Sequence, residues 1–359
     1  MFRYWNTVSF LKQRFFKGFR EEPKFIYKGT NYQNTAMAEI CILLSKENQI
    51  LSEAEAKTVL NFPKTKLDMN LLKVESNKEI IKNLNKTAYS RMAFEILVEE
   101  DTYPNLEKTL ENSDLNLKKS KTFGIRTLNL TSNKSNFDVI KVSKLIYSDS
   151  IGEVDLKKPE QEFYLILAKR AYFTKLIWTN QDKFAERKAN KRPSPHPTSM
   201  NPKLARALIN LANPKKEVLD PFCGSGGILL EAGVLGLKSI GLDIDENMIL
   251  RSKDNLKHYN IKESELLTQS ALDWTTPVEC VVTDVPYGKS SKLKEELKGL
   301  IKKFLTHYHK LTKIIVLVAP KTMDAEKIAK SNGWNVKNSF FMYVHSNLTR
   351  QILILEKSL

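Results

Sequence analysis

A strand, a glycine-rich turn and a helix follow one another directly between residues 217 and 231. The strand ends at Asp220, and the turn after it carries three glycines before an apolar helix begins near Ile228. Glycine accepts positive φ angles and lets a ligand approach the backbone closely. This order of elements therefore predicts a ligand-binding βα unit at the carboxyl edge of a doubly wound sheet.

The spacing of these glycines differs from two common phosphate-binding loops, the dinucleotide fingerprint G-x-G-x-x-G and the Walker A loop with its Gly-Lys-Ser/Thr. A carboxylate at Asp220 would repel phosphate, but it suits a cation such as the ammonium of a methionyl group. About twenty residues later a second strand ends in Asp243, where a carboxylate can accept both hydroxyls of a ribose. The glycine-rich turn after Asp220 and the second acid-ended strand, in this order, predict S-adenosylmethionine as the cofactor. The alternative is a domain of the same fold that no longer binds it.

A further strand, over residues 278–283, is followed by an acid, a proline and an aromatic ring. The residues of this motif are Asp284, Val285, Pro286 and Tyr287, followed by Gly288. Alone, the motif is better explained as an Asp-x-Pro turn. Because it follows the cofactor loop in the chain, however, the motif falls at the fourth strand of such a sheet. Hydrogen-bond acceptors and a flat ring at that place suit a planar base with an amino group. We therefore expect Asp220, Asp243 and Asp284 along one edge of the sheet.

The charge balance points to a polyanionic partner. Lys and Arg number 57 against 41 Asp and Glu, which gives a net charge of +16 and favours nucleic acid over a membrane. No apolar run is long enough to cross a bilayer. The three cysteines lie far apart, so neither a disulfide framework nor a zinc site is predicted, and we expect a reduced, cytoplasmic protein.

The N-terminal half predicts smaller units. Residues 1–36 form a basic, aromatic extension that fits a targeting peptide, a disordered arm or a stretch upstream of a start at Met37. Strands and helices then alternate to residue 178 in a small α+β pattern. One predicted helix, residues 51–60, has Ser52 as N-cap and Glu55 as its capping-box partner. A basic neighbourhood of Lys118, Lys119, Lys121 and Arg126 fits an RNA-binding face and a solvated surface equally well.

Residues 179–195 are polar, charged and proline-bearing, and they include Lys191 and Arg192. This composition predicts a linker between domains. A helix follows, with Asn201 as N-cap, Pro202 at its first position and an apolar stripe of leucines. Strands and helices alternate from there to the end, which predicts an α/β, doubly wound C-terminal domain.

Three stretches, residues 196–206, 220–227 and 345–350, together resemble the archaeal tRNA (guanosine-10 N2)-methyltransferases. These are class I methyltransferases with an Asp/Asn-Pro-Pro-Tyr/Phe motif. The resemblance implies a ferredoxin-like domain at 37–90, a tRNA-binding THUMP domain at 91–178 and a Rossmann-like methyltransferase domain at 196–359. It covers residues 38–359 and implies nothing about the extension.

The resemblance also implies roles for individual residues. The implied cofactor contacts are His196, Thr198, Asp220, Phe222, Cys223, Gly224, Ser225, Gly226, Asp243, Ile244, Ser270 and Ala271. The RNA contacts that we expect are Lys118, Lys119, Lys121, Arg126, Lys191 and Arg192 from their basic surroundings, and His345 and Arg350 from the resemblance. We expect tRNA as the partner of a monomer, and the need for a small activating subunit and the number of methyl groups added stay open.

In the implied mechanism, Asp284 and the carbonyl of Val285 accept the N–H bonds of the guanine amine while Tyr287 stacks on the base. No metal is predicted, because the sulfonium already activates the methyl group. The chain departs from the family in two places: Val285 replaces a proline, and Ser270 stands where an acid is expected, with Asp273 out of register. The alternatives are another tRNA or rRNA guanine, adenine N6, or a non-catalytic RNA-binding protein with a decayed fold.

Overall fold

The computed structural model describes residues 39–61, 64–75, 79–115, 117–133, 137–147, 152–287, 291–346 and 348–357, without the side chains of 291–294. The predicted extension at 1–36, Gly288 and residue 347 lie outside the described residues. The described chain divides into two compact units. The first unit comprises the described residues up to Leu44 and those that lie within Phe62–Ile80 and Arg91–Thr179. The second unit comprises Ser45–Asn61, Ile81–Ser90 and the described residues from Asn180 onwards.

The β-strands are β1 (Glu39–Leu44), β2 (Thr65–Asp68), β3 (Leu71–Glu75), β4 (Ser90–Glu100), β5 (Thr122–Asn129), β6 (Glu153–Val154), β7 (Gln161–Leu167), β8 (Ala171–Thr179), β9 (Glu217–Asp220), β10 (Lys238–Asp243), β11 (Ser264–Thr268), β12 (Val281–Asp284), β13 (Ile314–Pro320), β14 (Trp334–His345) and β15 (Leu348–Lys357). The α-helices are α1 (Gln49–Leu60), α2 (Ile80–Leu84), α3 (Tyr103–Asn112), α4 (Val139–Ile146), α5 (Pro202–Ala212), α6 (Gly227–Val234), α7 (Glu246–His258), α8 (Ser291–Tyr308) and α9 (Ala325–Ser331).

The first unit is built on one eight-stranded sheet in the order β2-β3-β1-β4-β8-β7-β5-β6. Strands β7 and β8 pair antiparallel. Phe163 stacks on Phe173 with ring centroids 5.4 Å apart in the core of this unit. The sheet takes strands from both predicted N-terminal domains, and the boundary between those domains and the THUMP assignment stay predictions.

The second unit is built on a seven-stranded sheet in the order β11-β10-β9-β12-β13-β15-β14. Strands β9 to β13 pair in parallel, and β15 is antiparallel to both of its neighbours. This arrangement confirms the predicted doubly wound sheet. Strand β9 has β10 on one side and β12 on the other, so the chain reverses its direction of travel there, and ligands bind at such a point. Asp220, Asp243 and Asp284 each end one of these three strands.

Helix α1 belongs to the second unit, although the sequence analysis placed it in an N-terminal domain. The predicted capping box is wrong. Asn48 is the N-cap, and the Ser52 hydroxyl donates instead to the Asn48 carbonyl at 2.7 Å. Glu55 is fully buried and accepts the backbone N–H groups of Ala88 and Tyr89 at 2.8 and 2.9 Å. A glutamate turned into the unit in this way has no reach to its own N-cap.

Helix α5 follows its prediction closely. The side chain of Asn201 accepts the N–H of Lys203 and caps the helix, and Pro202 is the first helical residue. Leu204 and Leu208 are buried in the core shared with β9, β12 and β13. Packing of this stripe fixes α5 against the sheet and so sets the position of the segment that precedes it.

Candidate active site

The glycine-rich turn between β9 and α6 provides the open part of the site. Gly224 has φ +51° and Gly226 has φ +81°, a region that side chains rarely adopt. A Cβ added to Gly224 would meet no atom within 4 Å, whereas one at Gly226 would lie 2.6 Å from the Ser252 hydroxyl oxygen. Free space therefore lies over Gly224, and the turn packs tightly on α7 at Gly226.

Asp243, at the end of β10, faces this turn. Its Oδ2 accepts the N–H of Gly224 at 2.9 Å, and its Oδ1 accepts the N–H of Asp245 at 3.0 Å. Both bonds fix the carboxylate beside the space over Gly224. The neighbouring Ile244 is 78% exposed, so it offers an apolar surface at the same edge of the sheet.

Asp220 is only 2% exposed. Its Oδ1 accepts the Thr283 hydroxyl at 2.7 Å and the N–H of Phe222 at 3.2 Å. The pKa of Asp220 is raised to about 7, mainly by burial; the two hydrogen bonds oppose the shift, and the charges of Asp284 and Asp243 add to it. Thr283 is not among the residues that the sequence predicts for this site. Its signal is its position, one residue before Asp284 in a strand next to β9.

The segment before α5 touches the cofactor turn through one serine pair. The hydroxyls of Ser199 and Ser225 lie 2.7 Å apart. His196 and Thr198 bond to each other, with His196 Nδ1 2.8 Å from the Thr198 hydroxyl. Cys223 is buried and donates its backbone N–H to the carbonyl that precedes Asp243. Ser199 is thus a second residue that the sequence analysis did not assign to the site.

Ser270 caps a short 3-10 turn, Ala271–Asp273, by accepting the N–H of Leu272 at 3.2 Å. Ala271 is buried, whereas Asp273 is exposed. The serine found in place of the expected acid therefore serves the turn that follows β11. Phe222 packs against the Phe304 ring of α8 with centroids 5.6 Å apart.

Val285, the departure from the family motif, has a structural role here. Its side chain is 2% exposed and packs in the core between the sheet, α8 and α9. Its N–H donates to the carbonyl of Val318 at 3.1 Å, which extends the β12–β13 pairing by one residue. Proline has no N–H and would lose this bond. The valine therefore fits the sheet, and Pro286 after it is exposed.

Asp284 shares its carboxylate with two neighbours. The Tyr287 hydroxyl donates to Oδ1, and Arg350 Nη2 lies 3.2 Å from Oδ2. Arg350 Nε also donates to the Tyr287 oxygen at 2.9 Å. Burial raises the pKa of Asp284 to about 6, while the Arg350 charge and the Tyr287 hydrogen bond hold it down. The three residues form one hydrogen-bonded cluster at the edge of the second unit's sheet where β9, β10 and β12 end.

Other expected RNA contacts differ in their surroundings. Lys118, Lys119 and Lys121, before β5, are exposed, as are Lys191 and His345. Arg126 pairs with Glu162 and donates to the Leu156 carbonyl. The Arg192 prediction is corrected: the side chain is 4% exposed and its Nε donates to the Arg187 carbonyl at 2.9 Å. Buried in this way, Arg192 has no surface left for RNA.

The arrangement fits S-adenosylmethionine. Open space lies over Gly224, one carboxylate (Asp243) borders it, and a second (Asp220) lies buried below the start of the turn. Carboxylates suit the ribose hydroxyls and the ammonium of such a ligand. Within the described ranges no group of three or more His, Cys, Asp or Glu could hold a metal ion. No helix in the same ranges is long and apolar enough to cross a membrane.

Comparisons with known proteins agree with S-adenosylmethionine as the cofactor. A family model described as an RMKL-like methyltransferase domain matches residues 189–351, and a DNA methylase model matches residues 57–254. The tRNA (guanine(10)-N2)-dimethyltransferase of Methanothermobacter thermautotrophicus is 30% identical over 337 residues, which cover 89% of this chain and 99% of that protein.

Solved structures share the fold. TrmN from Thermus thermophilus superposes with a TM-score of 0.52 at 17% identity, over 89% of this chain and 100% of that one. SMU.472, a putative methyltransferase complexed with SAH, superposes with a TM-score of 0.50 at 15% identity, over 91% and 100% of the two chains. At these identities the likeness concerns the fold, an S-adenosylmethionine-dependent methyltransferase architecture.

Proposed function

Because the chain belongs to the family of the archaeal tRNA (guanine(10)-N2)-dimethyltransferases, we propose that it methylates the exocyclic N2 of a guanosine in tRNA, guanosine-10 in the first instance. The chain is an S-adenosylmethionine-dependent methyltransferase. It spans 99% of the length of the relative from Methanothermobacter thermautotrophicus, which supports a shared substrate. The family name also supports one or two rounds of transfer to the same amine.

One observation carries the proposal: Asp284 ends β12 directly beside β9, the strand that leads into the cofactor turn. Thr283, one residue earlier, bonds to Asp220 at 2.7 Å. The acid that would receive an amine and the turn that would receive the cofactor are thus held together by neighbouring strands. The aligned strand ends supply the proximity that group transfer needs.

The residues divide the work as follows. The lone pair of the guanine amine is delocalised into the ring, so the amine is a poor nucleophile until its N–H bonds are held. Asp284 and the Val285 carbonyl accept these N–H bonds and turn the lone pair toward the methyl group. Tyr287 stacks on the base, which must leave its helix to enter the pocket. Asp284 then accepts or relays the proton that the amine loses.

The cofactor, when bound, supplies an electrophilic methyl group on sulfonium. The Tyr287 hydroxyl donates to Asp284 Oδ1, so we expect the incoming guanine amine to take over that acceptor. Release of the hydroxyl frees the tyrosine ring to lie flat on the base. This exchange couples entry of the base to assembly of the stacked pocket.

The test is methylation of bulk unmodified tRNA with labelled S-adenosylmethionine, followed by mapping of the labelled nucleoside. N2-methylguanosine is expected, and label in N6-methyladenosine or none in RNA contradicts the proposal. Asp284→Ala is expected to bind the cofactor normally and to lose transfer. The control is Glu296→Ala, which removes an exposed acid on α8. Full activity of the purified chain alone would show that it needs no activating subunit, and its mass in solution under the assay conditions would test whether it is a monomer.

A further inference from the structure

Arg350 lies against the Asp284 carboxylate. It projects from β15, its side chain is 13% exposed, and its Nη2 is 3.2 Å from Asp284 Oδ2. Its Nε donates to the Tyr287 oxygen, and its guanidinium carbon lies 5.7 Å from the centre of the Tyr287 ring. Two of the five guanidinium N–H donors are engaged by the acid and the phenol, and the low exposure of the side chain leaves little surface for an RNA phosphate. Its position points to a role through Asp284.

The protonation state of Asp284 decides which base edge it can pair with. An ionised carboxylate presents two acceptors, whereas a neutral carboxylic acid presents one acceptor and one donor. In guanine the N2 amine stands next to the N1–H, so two acceptors can receive both groups at once. In 2-aminopurine the same amine stands next to a bare N1, which is an acceptor and needs a donor. An ionised Asp284 therefore matches guanine, and a neutral one matches 2-aminopurine.

The groups around Asp284 have opposite effects on its pKa. Burial raises its pKa to about 6, the positive charge of Arg350 on β15 opposes this rise most strongly, and the hydrogen bond from the Tyr287 hydroxyl opposes it less. Asp220 on β9 interacts with Asp284 as a like charge, with Asp243 of β10 beside it. Arg350 is the cation facing Asp284 in the described part of the site. Its loss is expected to favour the neutral acid near pH 7.

We propose that Arg350 determines base specificity: as a positioning residue it holds Asp284 as a carboxylate with two acceptors toward the base, and so selects the N1–H and N2–H edge of guanine. The proposal rests on the proposed function, since it concerns the same pocket and the same amine. It assigns the guanidinium to recognition of the reacting base and not to the RNA backbone.

The experiment uses tRNA assembled by ligation with either guanosine or 2-aminopurine at the target position. Single-turnover kcat/KM is measured from pH 5.5 to 8.5 for the wild type, Arg350→Gln and Arg350→Lys. The control is Lys337→Gln, on β14 of the same hairpin, which removes an exposed positive charge whose partner is Glu356. Cofactor affinity and thermal unfolding are recorded for every variant.

The wild type is expected to prefer guanosine over 2-aminopurine by about tenfold or more at pH 8, because the latter leaves an acceptor facing an acceptor. In Arg350→Gln the acidic limb of the guanosine profile moves up by about one pH unit, and the preference shrinks at pH 7. Arg350→Lys retains most of the preference, and Lys337→Gln matches the wild type. An unmoved limb with equal losses on both bases would overturn the proposal.

A measurement on the wild type alone keeps the proposal testable if Arg350→Gln fails to fold. In the wild type itself, the preference for guanosine must fall as pH drops from 8 to 5.5, because Asp284 gains a proton in this range. A preference that is constant with pH also overturns the inference. These failures differ from failure of the proposed function, in which the wild type would put no methyl group on guanosine N2 at any pH.

Discussion

Asp220→Asn should stabilise the ligand-free protein at alkaline pH while it abolishes cofactor binding. The pKa of Asp220 rises from its ordinary 3.8 to about 7 in the folded protein. Each pKa unit corresponds to about 1.4 kcal/mol, so keeping this carboxylate ionised inside the protein costs roughly 4 kcal/mol above pH 7. Asparagine has nearly the same shape, stays neutral and can still accept from Thr283.

The sign of the pH dependence follows from the raised pKa. Between about pH 4 and pH 7 the folded state holds a proton on Asp220 that the unfolded state has released, so stability from this group falls as pH rises. The advantage of Asp220→Asn is therefore expected to be about 4 kcal/mol at pH 8 and small near pH 4. A cationic ammonium is the partner that would repay this cost in the wild type.

Urea unfolding at pH 4.5 and pH 8, with and without S-adenosylmethionine, measures both effects. Saturating cofactor should raise wild-type stability by about 2.7 kcal/mol at 100 times its Kd, and should not raise that of the variant. Asp273→Asn, at an exposed acid on the same edge, serves as the control and should change neither quantity. A variant less stable than the wild type at pH 8, or an equal difference at both pH values, would refute the reasoning.

Three further substitutions and one control, Gly236→Ala, test individual contacts by urea unfolding. Gly226→Ala should cost several kcal/mol, because the methyl group would lie 2.6 Å from a serine hydroxyl of α7; Gly236→Ala, with the same sign of φ but no atom within 4 Å, should cost only the backbone strain of about 1–2 kcal/mol. Val285→Pro removes the N–H bond to Val318, so a loss of about 1 kcal/mol with retained methyl transfer is expected. Glu55→Ala leaves two buried N–H groups unpaired and should cost about 3 kcal/mol; a loss under 1 kcal/mol would remove Glu55 from that role.

The sequence could predict which acids meet at one edge of the sheet, because this depends only on the residues at three strand ends. Asp220, Asp243 and Asp284 each follow an apolar run, and parallel strands bring their carboxyl ends to one edge whatever the loops do. The N-cap at Asn201 is local for the same reason, since a cap depends on a few adjacent residues. Such features need only short-range information, and they are confirmed.

Glu55 shows where this kind of reasoning failed. Its spacing from Ser52 matches a capping box, but its carboxylate instead meets backbone groups 33 and 34 residues away. Two buried N–H donors outweigh one exposed donor at a helix end, because unpaired groups inside the protein cost more than those in water. A rule based on sequence spacing cannot predict which of these donors the Glu55 carboxylate will accept.

By itself, the sequence determined the doubly wound domain, the glycine-rich turn and the acid that we propose receives the reacting amine. Only the tertiary structure decided how those groups are charged and held. It brought Arg350 from the last strand to Asp284, 66 positions apart in the chain, buried Asp220 under the Thr283 hydroxyl and gave Val285 a partner in β13. Burial and charge act through space, so the pKa of each acid depends on neighbours that are adjacent only after the sheet has formed.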